Sequence, residues 1–462
     1  MNKKIIISLL IIGAVAAVAI GGTIAFFSDK ETSKNNILVA GDIDLKVDHT
    51  LSYYNGLFCG DDYKLHKQCD MGNLVKNGSF EAPEVTNSAK WDIFPAGYAG
   101  LDWSIEWMPG ATTYGGYNRP VAALREYQEG VNGWTAQNGD QWAELDSDWV
   151  GPSINLNGEP ALVRIYQDIQ TLPGKTYEIS FWSRMRPDSS SAESKMDVKW
   201  GGSTIANITE NGGWTNHTYT VTATGYATRL TFEGTGNNNS LGIFLDNVSV
   251  IAKECTETND LVGRKCAPTF SEKDLTEEKF FDFDDVKPGD FGRNIISLHV
   301  FSNDSWACMN VVNKTDEENV CVKPEEKARD NVNSPVGELS KYLEIFVWRD
   351  NNDNGIYEPA SETPIYTGKI ADANGLAVYD SVTAEYIPAG EMKFIGLAWC
   401  AGDITVDGTT GAISCDHNGM LNDAQTDKFM ADLEIYAEQK RNNENFVCPT
   451  TVPEVITEPN PE

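Results

Sequence analysis

Alternation of apolar and polar residues in four separate segments most constrains what this chain can fold into. A side-chain period of two is typical of a β-strand with one buried face. Long stretches with helical periodicity are scarce, so the sequence predicts an all-β protein built from sandwich or jelly-roll domains. The alternating apolar positions are Ile43, Leu45 and Val47; Ile296, Leu298 and Val300; Leu343, Ile345 and Val347; and Phe429, Ala431, Leu433, Ile435 and Ala437.

The N-terminus has the layout of a secretory signal. Two early lysines precede an uncharged apolar run over residues 5–27, and the chain then turns polar. Thr23 and Ala25 satisfy the small-residue rule, which predicts that a signal peptidase cuts after Ala25 and leaves Phe26 as the mature N-terminus. The alternative is an uncleaved membrane anchor, because roughly 20 apolar residues are enough to span a bilayer.

The sequence around this junction resembles the TasA/camelysin family. The matching stretches are residues 21–33 and 40–45, then 281–290 with its Pro-Gly-Asp turn, and finally 424–437. The resemblance implies a secreted protein processed by a SipW-type signal peptidase, with a TasA-like jelly roll as its outer domain. Several members of that family build biofilm fibres, so the resemblance also implies that the chain assembles with itself.

The middle of the chain has its own beginning and end, bracketed by two short cysteine-bearing stretches. We therefore predict a complete β-sandwich at residues 71–252, inserted into an outer domain made of residues 26–70 and 253–448. Insertions succeed at exposed loop tips, where the two junctions lie close together. The tail, residues 449–462, is rich in proline, glutamate and threonine and is predicted to be disordered.

The middle segment resembles secreted carbohydrate-binding modules of the galactose-binding-like sandwich type, including the CenC-type modules. The pieces that match, in the family's order, are residues 77–81, 139–146, 172–181 and 244–248. The resemblance implies a structural calcium ion near the first and last strands, held by the carboxylates of Glu81 and Asp246. Calcium takes several oxygen ligands, often including backbone carbonyls. The alternative is that both residues only cap turns.

Sugar binding needs aromatic faces and polar groups, and the first half of the middle segment is rich in both. Trp103, Trp107, Tyr114 and Tyr117 lie in a Gly/Pro-rich stretch unlike a packed strand. Most large aromatic residues of a sandwich belong to its core, so these four, with Arg125, are the predicted surface residues for an extracellular polysaccharide.

A second calcium site is predicted in residues 350–362. Asp350, Asn352 and Asn354 occupy positions 1, 3 and 5 of a calcium loop, glycine occupies position 6, and the carbonyl of Ile356 is at position 7. Position 12 is a serine, and Glu362 follows it. An Asn/Asp/Gly hairpin turn needs similar residues and remains the alternative.

Nine cysteines in a secreted chain without Cys-x-x-Cys predict disulfides. Spacing does not determine connectivity, so other pairings remain open. Pairing of sequence neighbours predicts the following bonds and leaves Cys448 over: Cys59–Cys69, Cys255–Cys266, Cys308–Cys321 and Cys400–Cys415.

The acidic composition limits the partners of this chain. Lys and Arg number 36 against 68 Asp and Glu, so the net charge is −32. A surface of this charge repels nucleic acid and anionic membranes. Camelysin is described as a metalloprotease, but the sequence has no His-Glu-x-x-His and no Gly-x-Ser-x-Gly motif, so we expect no enzyme.

These observations lead to one principal hypothesis and two alternatives. The principal one is a secreted structural subunit of cell-surface or biofilm-matrix fibres. It would assemble by addition of a mature N-terminal strand, within residues 26–47, to an open sheet edge of a neighbour, and it would display a glycan-binding sandwich. The alternatives are a monomeric, calcium-stabilised glycan-binding adhesin and a camelysin-like secreted protease.

Overall fold

The structure is a computed structural model that describes residues 28–33, 43–95, 98–154, 156–254, 260–328 and 334–449, with backbone alone for residues 28–33. The predicted cleavage site at Ala25 and Phe26, Cys255 and almost all of the predicted tail lie outside these ranges. Within them, no helix combines the length and apolar character needed to cross a membrane.

The described chain is almost entirely β-strand, which confirms the predicted all-β class. The strands before residue 90 are β1 (Ser28–Ser33), β2 (Leu45–Tyr54), β3 (Leu57–Cys59) and β4 (Leu65–His66). The middle strands are β5 (Trp91–Pro95), β6 (Ser104–Trp107), β7 (Thr113–Tyr114), β8 (Tyr117–Asn118), β9 (Leu124–Gln128), β10 (Trp142–Glu144), β11 (Val163–Gln170), β12 (Thr176–Arg184), β13 (Lys195–Trp200), β14 (Ser203–Thr209), β15 (Thr215–Thr222), β16 (Ala227–Gly234) and β17 (Phe244–Ala252).

Ten further strands and a short helix follow. They are β18 (Phe270–Lys273), β19 (Phe291–Val300), β20 (Ser305–Glu317), α1 (Lys323–Ala328), β21 (Leu343–Asp350), β22 (Thr363–Lys369), β23 (Leu376–Tyr379), β24 (Glu391–Ala401), β25 (Asp403–Val406), β26 (Ile413–Asp416) and β27 (Lys428–Gln439).

Three sheets use only strands from outside the middle segment: β25 and β26 form a two-stranded sheet of their own, and we call the two larger ones the outer sheets. One has the order β22-β21-β24-β19-β2-β3-β4, with β18 also paired to β2, and the other has the order β1-β27-β20-β23. Their antiparallel strands enclose one core in which Leu298, Val347 and Ile435 are fully buried. The alternating segments predicted as strands lie in β2, β19, β21 and β27.

β27 departs from the expected one-sided burial, because Glu434 and Tyr436 on its polar face are also buried. The C-terminal segment covers this face, and Tyr436, Cys308 and Cys448 form a small cluster of their own. Alternation in the sequence could not show that a later segment folds back over the strand.

Two inner sheets use only strands from the middle segment. The six-stranded sheet has the order β15-β12-β17-β10-β9-β5, and the five-stranded sheet has the order β14-β13-β16-β11-β6. Tyr127, Phe181, Leu245 and Phe232 come from both sheets and are buried between them. Trp103 also lies in this core.

The loop after β21 joins the outer sheets to the inner ones. Its Asn354 carbonyl accepts hydrogen bonds from the backbone N–H groups of Tyr226 (2.7 Å) and Ala227 (3.3 Å), at the turn between β15 and β16. Its buried Asp353 pairs with Arg229 (3.2 Å), which also holds Asp168 through two hydrogen bonds of 2.7 and 2.8 Å. The two pairs of sheets therefore meet through a specific polar joint.

The disulfides correct most of the predicted pairing. Cys59 bonds to Cys266 and Cys308 bonds to Cys448, so the predicted Cys59–Cys69, Cys255–Cys266 and Cys308–Cys321 bonds and the unpaired Cys448 are wrong. The predicted Cys400–Cys415 bond is confirmed. Cys69 is also disulfide-bonded. Pairing of sequence neighbours failed because β-sheet topology brings distant segments together.

A buried histidine links three strands of the larger outer sheet. His299 on β19 lies between Asp48 on β2 and Glu272 on β18, with a nitrogen-to-oxygen distance of 3.0 Å on each side. Burial opposes protonation, but the two carboxylates outweigh it and raise the pKa of His299 to about 10. The ring is therefore a buried cation held by two anions.

Candidate functional site

The six-stranded inner sheet turns a polar and aromatic face away from the sandwich core, and we call it the outer face. Cross-strand pairing sets Glu126 opposite Glu144, Glu144 opposite Phe244 and Phe244 opposite Arg184, in one row across four strands. Gln128, Trp142 and Trp182 belong to the next row. Because side chains alternate along each strand, these residues point away from the core that holds Tyr127 and Leu245.

The deep part of the outer face holds an unusual set of polar groups without hydrogen-bond partners among the described residues. The atoms are Gln128 Oε1, Trp142 Nε1, Ser147 Oγ, Trp149 Nε1 and Glu159 Oε2. All five side chains are almost fully buried. A buried polar group without a partner costs about 1–3 kcal/mol, so this cluster indicates a place for water or ligand hydroxyl groups.

Carboxylates are concentrated at the same place. Burial raises the pKa of Glu144 to about 7 and that of Glu159 to about 8, where a hydrogen bond with Asp148 adds to the rise. The pKa of Glu126 is also raised, mainly because the side chain is buried and secondly because the charge of Glu144 is close. Arg186 Nη1 bonds Glu144 Oε2 at 2.5 Å and offsets part of this negative charge.

Aromatic rings border the outer face where it reaches solvent. Trp134, Trp182 and Trp214 are each partly exposed. The guanidinium of Arg186 lies 5.7 Å from the ring centre of Trp134, and that of Arg184 lies 5.5 Å from Trp214. Exposed aromatic faces beside hydrogen-bonding groups suit sugar rings, which have both apolar faces and hydroxyl edges.

Two of the predicted glycan-binding residues are buried, so their prediction as surface residues is wrong. Trp103 is 1% exposed, stacks on Phe80 at 5.5 Å and donates its ring N–H to the carbonyl of Asn77 at 3.1 Å. Arg125 is 4% exposed, on the core side of β9. The Gly/Pro-rich sequence around Trp103 resembles a surface loop, yet its ring fills the core.

The other three predicted residues lie on β6 and on the β7–β8 hairpin. Tyr114 and Tyr117 belong to the β7–β8 hairpin, and Tyr117 is 39% exposed. Tyr114 contacts Trp149 edge-on at 6.4 Å. Trp107 donates its ring N–H to the carbonyl of Pro120 at 3.0 Å. The hairpin therefore borders the buried polar cluster through Trp149.

Glu81 and Asp246, predicted to hold calcium, lie against the same backbone segment. Glu81 Oε1 accepts N–H groups from Asp140 and Gln141, each at 3.0 Å. Asp246 Oδ2 accepts the N–H groups of residues 137 and 138 at 2.7 and 2.9 Å. Burial raises the pKa of Asp246 to about 7, and the charge of Glu81 contributes. A cation beside the two carboxylates would relieve this repulsion, so the donor set fits calcium.

The acidic residues of the predicted calcium loop accept hydrogen bonds from the loop's own backbone and amide groups. Asp350 is 1% exposed and accepts N–H groups from residues 352, 354 and 355. Burial raises its pKa to about 6 and that of Glu362 to about 8, with contributions from the charge of Glu358. The side-chain amides of Asn352 and Asn354 donate to Glu358. Glu358 is therefore a further ligand candidate, which the sequence prediction did not include because it considered only the acidic residue near position 12.

One acidic cluster was not predicted from the sequence. Carboxylate oxygens of Glu318, Glu325 and Asp427 lie within 4.8 Å of one another, the one such group of three or more Asp, Glu, His or Cys side chains within the described ranges. Glu318 directly follows β20, Glu325 lies in α1, and Asp427 directly precedes β27. Their distance in sequence gave no signal for the cluster.

A family model described as camelysin metallo-endopeptidase matches residues 1–91. The predicted resemblance to the camelysin/TasA family is confirmed for this N-terminal part. The camelysin match ends where β5 begins, so most of the inner sheets and the later outer strands lie beyond it. The disulfides among the described residues are typical of an exported protein. Together with the camelysin match, they indicate an extracellular location.

Two bacterial toxins match part of the chain. Multifunctional-autoprocessing repeats-in-toxin proteins of Vibrio vulnificus and Vibrio cholerae are 26% and 25% identical over 147 residues, which span 29% of this chain and 3% of each toxin.

Solved carbohydrate-binding modules also align. TmCBM61 in complex with β-1,4-galactotriose has 14% identity and a TM-score of 0.21, covering 39% of this chain and 99% of that one. The CBM22-1 xylan-binding domain of Paenibacillus barcinonensis Xyn10C has 13% identity and a TM-score of 0.22, covering 36% and 94%.

Proposed function

We propose that this protein is an extracellular surface or matrix subunit whose inner sheets form a separate glycan-binding domain, spanning about residues 71–252. The main support for glycan binding is the outer face, where partly exposed tryptophans border buried carboxylates and hydrogen-bonding groups that have no partner among the described residues. An extracellular polysaccharide would place a sugar ring on Trp134 or Trp182. Its hydroxyl groups would bond with the row that contains Glu126 and Glu144.

Replacement of Trp134 by alanine tests this proposal. We expect Trp134→Ala to weaken polysaccharide binding about tenfold, because losing one stacking contact costs on the order of 1 kcal/mol. Glycan-array screening would identify the polysaccharide, and titration calorimetry would measure the change. The matched control is Tyr117→Ala on the β7–β8 hairpin, which should bind normally. If Tyr117→Ala loses binding and Trp134→Ala does not, the hairpin predicted from the sequence holds the glycan instead.

Self-assembly through the N-terminal strand is the second part of the proposal. β1 pairs antiparallel with β27, from Ser28 opposite Glu438 to Ser33 opposite Leu433. If β1 left its own chain, the β27 edge that it covers would be open to the N-terminal strand of a neighbouring chain. The predicted donor segment must be shortened, because Leu45–Tyr54 forms β2, which pairs with β19 within the larger outer sheet. Only residues near 28–33 therefore remain as the strand that one chain would donate to the next.

Deletion of residues 26–34 tests the assembly. We expect the deleted protein to form no fibres in electron micrographs, while its thermal unfolding stays close to that of the undeleted chain, because β1 is a sheet edge. Glu31→Pro is a milder variant that removes one backbone donor. Fibres that persist in the deleted protein would contradict strand addition and favour the monomeric adhesin.

Calcium is the proposed cofactor of both acidic sites. The residues that would hold it are Asp350, Asn352, Asn354, Glu358 and Glu362 with the carbonyl of Ile356 in one site, and Glu81 and Asp246 in the other. Buried carboxylates whose pKa values are raised by burial and by neighbouring negative charges support both assignments. The camelysin-like protease remains an alternative because the matched family is described as a metallo-endopeptidase.

A further inference from the structure

A cleft of about 400 Å³ lies where the inner and outer sheets meet, apart from the outer face and from both proposed calcium sites. One wall comes from β2, the β3–β4 region and β18. The opposite wall comes from β6 and β11. Pockets of this size at the meeting of two structural units commonly hold a small molecule.

The walls carry an excess of negative charge. The lining includes one lysine, Lys76, and six aspartates: Asp48, Asp61, Asp62, Asp70, Asp102 and Asp168. His49 also lines the cleft, but burial lowers its pKa to about 4, so the ring is neutral at pH 7. Lys76 is already engaged, because its Nζ lies 2.9 Å from Asp61 and donates to the carbonyl of Thr269 at 3.2 Å.

Among the described residues, Asp70 and Asp102 are the two lining aspartates without an assigned ion pair, and of these Asp70 is exposed to solvent whereas Asp102 is partly buried. Asp48 pairs with His299, Asp62 with His66 at 2.8 Å and Asp168 with Arg229. Burial raises the pKa of Asp102, although the charges of Lys76, Arg125 and Lys273 oppose the rise. A positive group placed in the cleft would lower the cost of keeping Asp102 ionised.

The remaining lining groups suit a ligand with hydroxyl groups. Tyr166, Ser104, Ser271 and Gln170 line the cleft with neutral polar side chains. Tyr166 is 4% exposed, and the guanidinium of Arg229 lies 4.0 Å from its ring centre, which fixes the ring in place. A simple metal ion would leave most of this volume and most of these groups unused.

We propose that the cleft between the inner and outer sheets binds a protonated amino sugar, such as a glucosamine unit of a deacetylated polysaccharide. Its ammonium group pairs with Asp102, and its hydroxyl groups bond with Tyr166, Ser104 and Gln170. This site is independent of the proposed outer face. It would let one chain hold a cationic glycan unit at its joint as well as a glycan on its sandwich.

Titration calorimetry of the purified full protein with a glucosamine trimer tests the proposal. We expect binding that weakens as salt increases, because an ion pair is screened. Asp102→Asn should weaken it at least tenfold, and Tyr166→Phe by a few fold. The control Asp407→Asn, at an exposed aspartate elsewhere, should bind like the unchanged protein.

Three comparison ligands decide the chemistry. The N-acetylglucosamine trimer lacks the ammonium group, glucose lacks the amine, and cadaverine has amines but no hydroxyl groups. Equal binding of the acetylated trimer or glucose, or an unchanged affinity in Asp102→Asn, overturns the ion pair. Equal binding of cadaverine overturns the sugar assignment. Loss of trimer binding in Glu144→Gln alone would move the ligand to the outer face and overturn the cleft site.

Discussion

Replacement of His299 by leucine is expected to destabilise the protein by roughly 3–5 kcal/mol. That is the usual loss when one partner of a buried ionic group is removed and the other charges stay behind. Here Asp48 and Glu272 would remain, with side chains only 7% and 10% exposed. Denaturant unfolding followed by tryptophan fluorescence would measure the change. His299→Gln, which keeps a hydrogen-bond donor, should lose less.

The stabilisation that His299 gives to the folded protein should decrease as the pH rises. Its folded pKa of about 10 lies above the ordinary value of 6.5, so its stabilisation is fully present below about pH 6.5 and is lost as the pH rises through about 10. The stability gap between the unchanged protein and His299→Leu should therefore shrink over that range. His417→Leu, at a side chain that is 69% exposed, is the control. A gap that is small at pH 6 would contradict the buried ionic triad.

Calcium is expected to stabilise the protein by about 2.7 kcal/mol for each occupied site at a concentration one hundred times the dissociation constant of that site. Asp350→Asn should remove the part of this gain that comes from the loop after β21. Scanning calorimetry with calcium and with chelator would measure both. Asp246→Asn should remove the contribution of the other site, so the two variants separate the sites from each other.

Backbone hydrogen exchange gives a local test of the same loop. The N–H groups of Tyr226 and Ala227 donate to the carbonyl of Asn354, so an ordered loop should protect them. Calcium should slow their exchange in the unchanged protein and not in Asp350→Asn. If calcium changes neither these amides nor the melting temperature, residues 350–362 are only a turn.

Alternation in the sequence predicted the fold class because each such strand has one face on a core. It could not predict burial on both faces. Phe346 lies on the side of β21 away from Val347, yet it is 1% exposed because it packs against Trp348 and Tyr357 in a second cluster. Only the course of later segments determines such coverage, and a local pattern carries no information about it.

The sequence offered a candidate metal site where the possible ligands are close together in sequence, and it missed the outer face, whose residues come from several strands. Residues 350–362 form one loop, so their spacing was readable. The outer face joins β9, β10, β17 and β12, and its members Glu126, Glu144 and Arg184 carry no shared motif. Trp103 shows the opposite error, since glycine and proline around it indicated a loop while its ring is fixed between Phe80 and Phe232.

The Cys59–Cys266 bond has a mechanical consequence for a protein held at its two ends. Tension along the backbone would pass through the disulfide bond, so the chain between Cys59 and Cys266, a separation of 207 residues, would carry no load. Fully stretched at about 3.4 Å per residue, that length is about 700 Å of chain that stays slack. The strands joined to β2 and β19 would carry the load, while the inserted sandwich would keep its binding surface undistorted under pull.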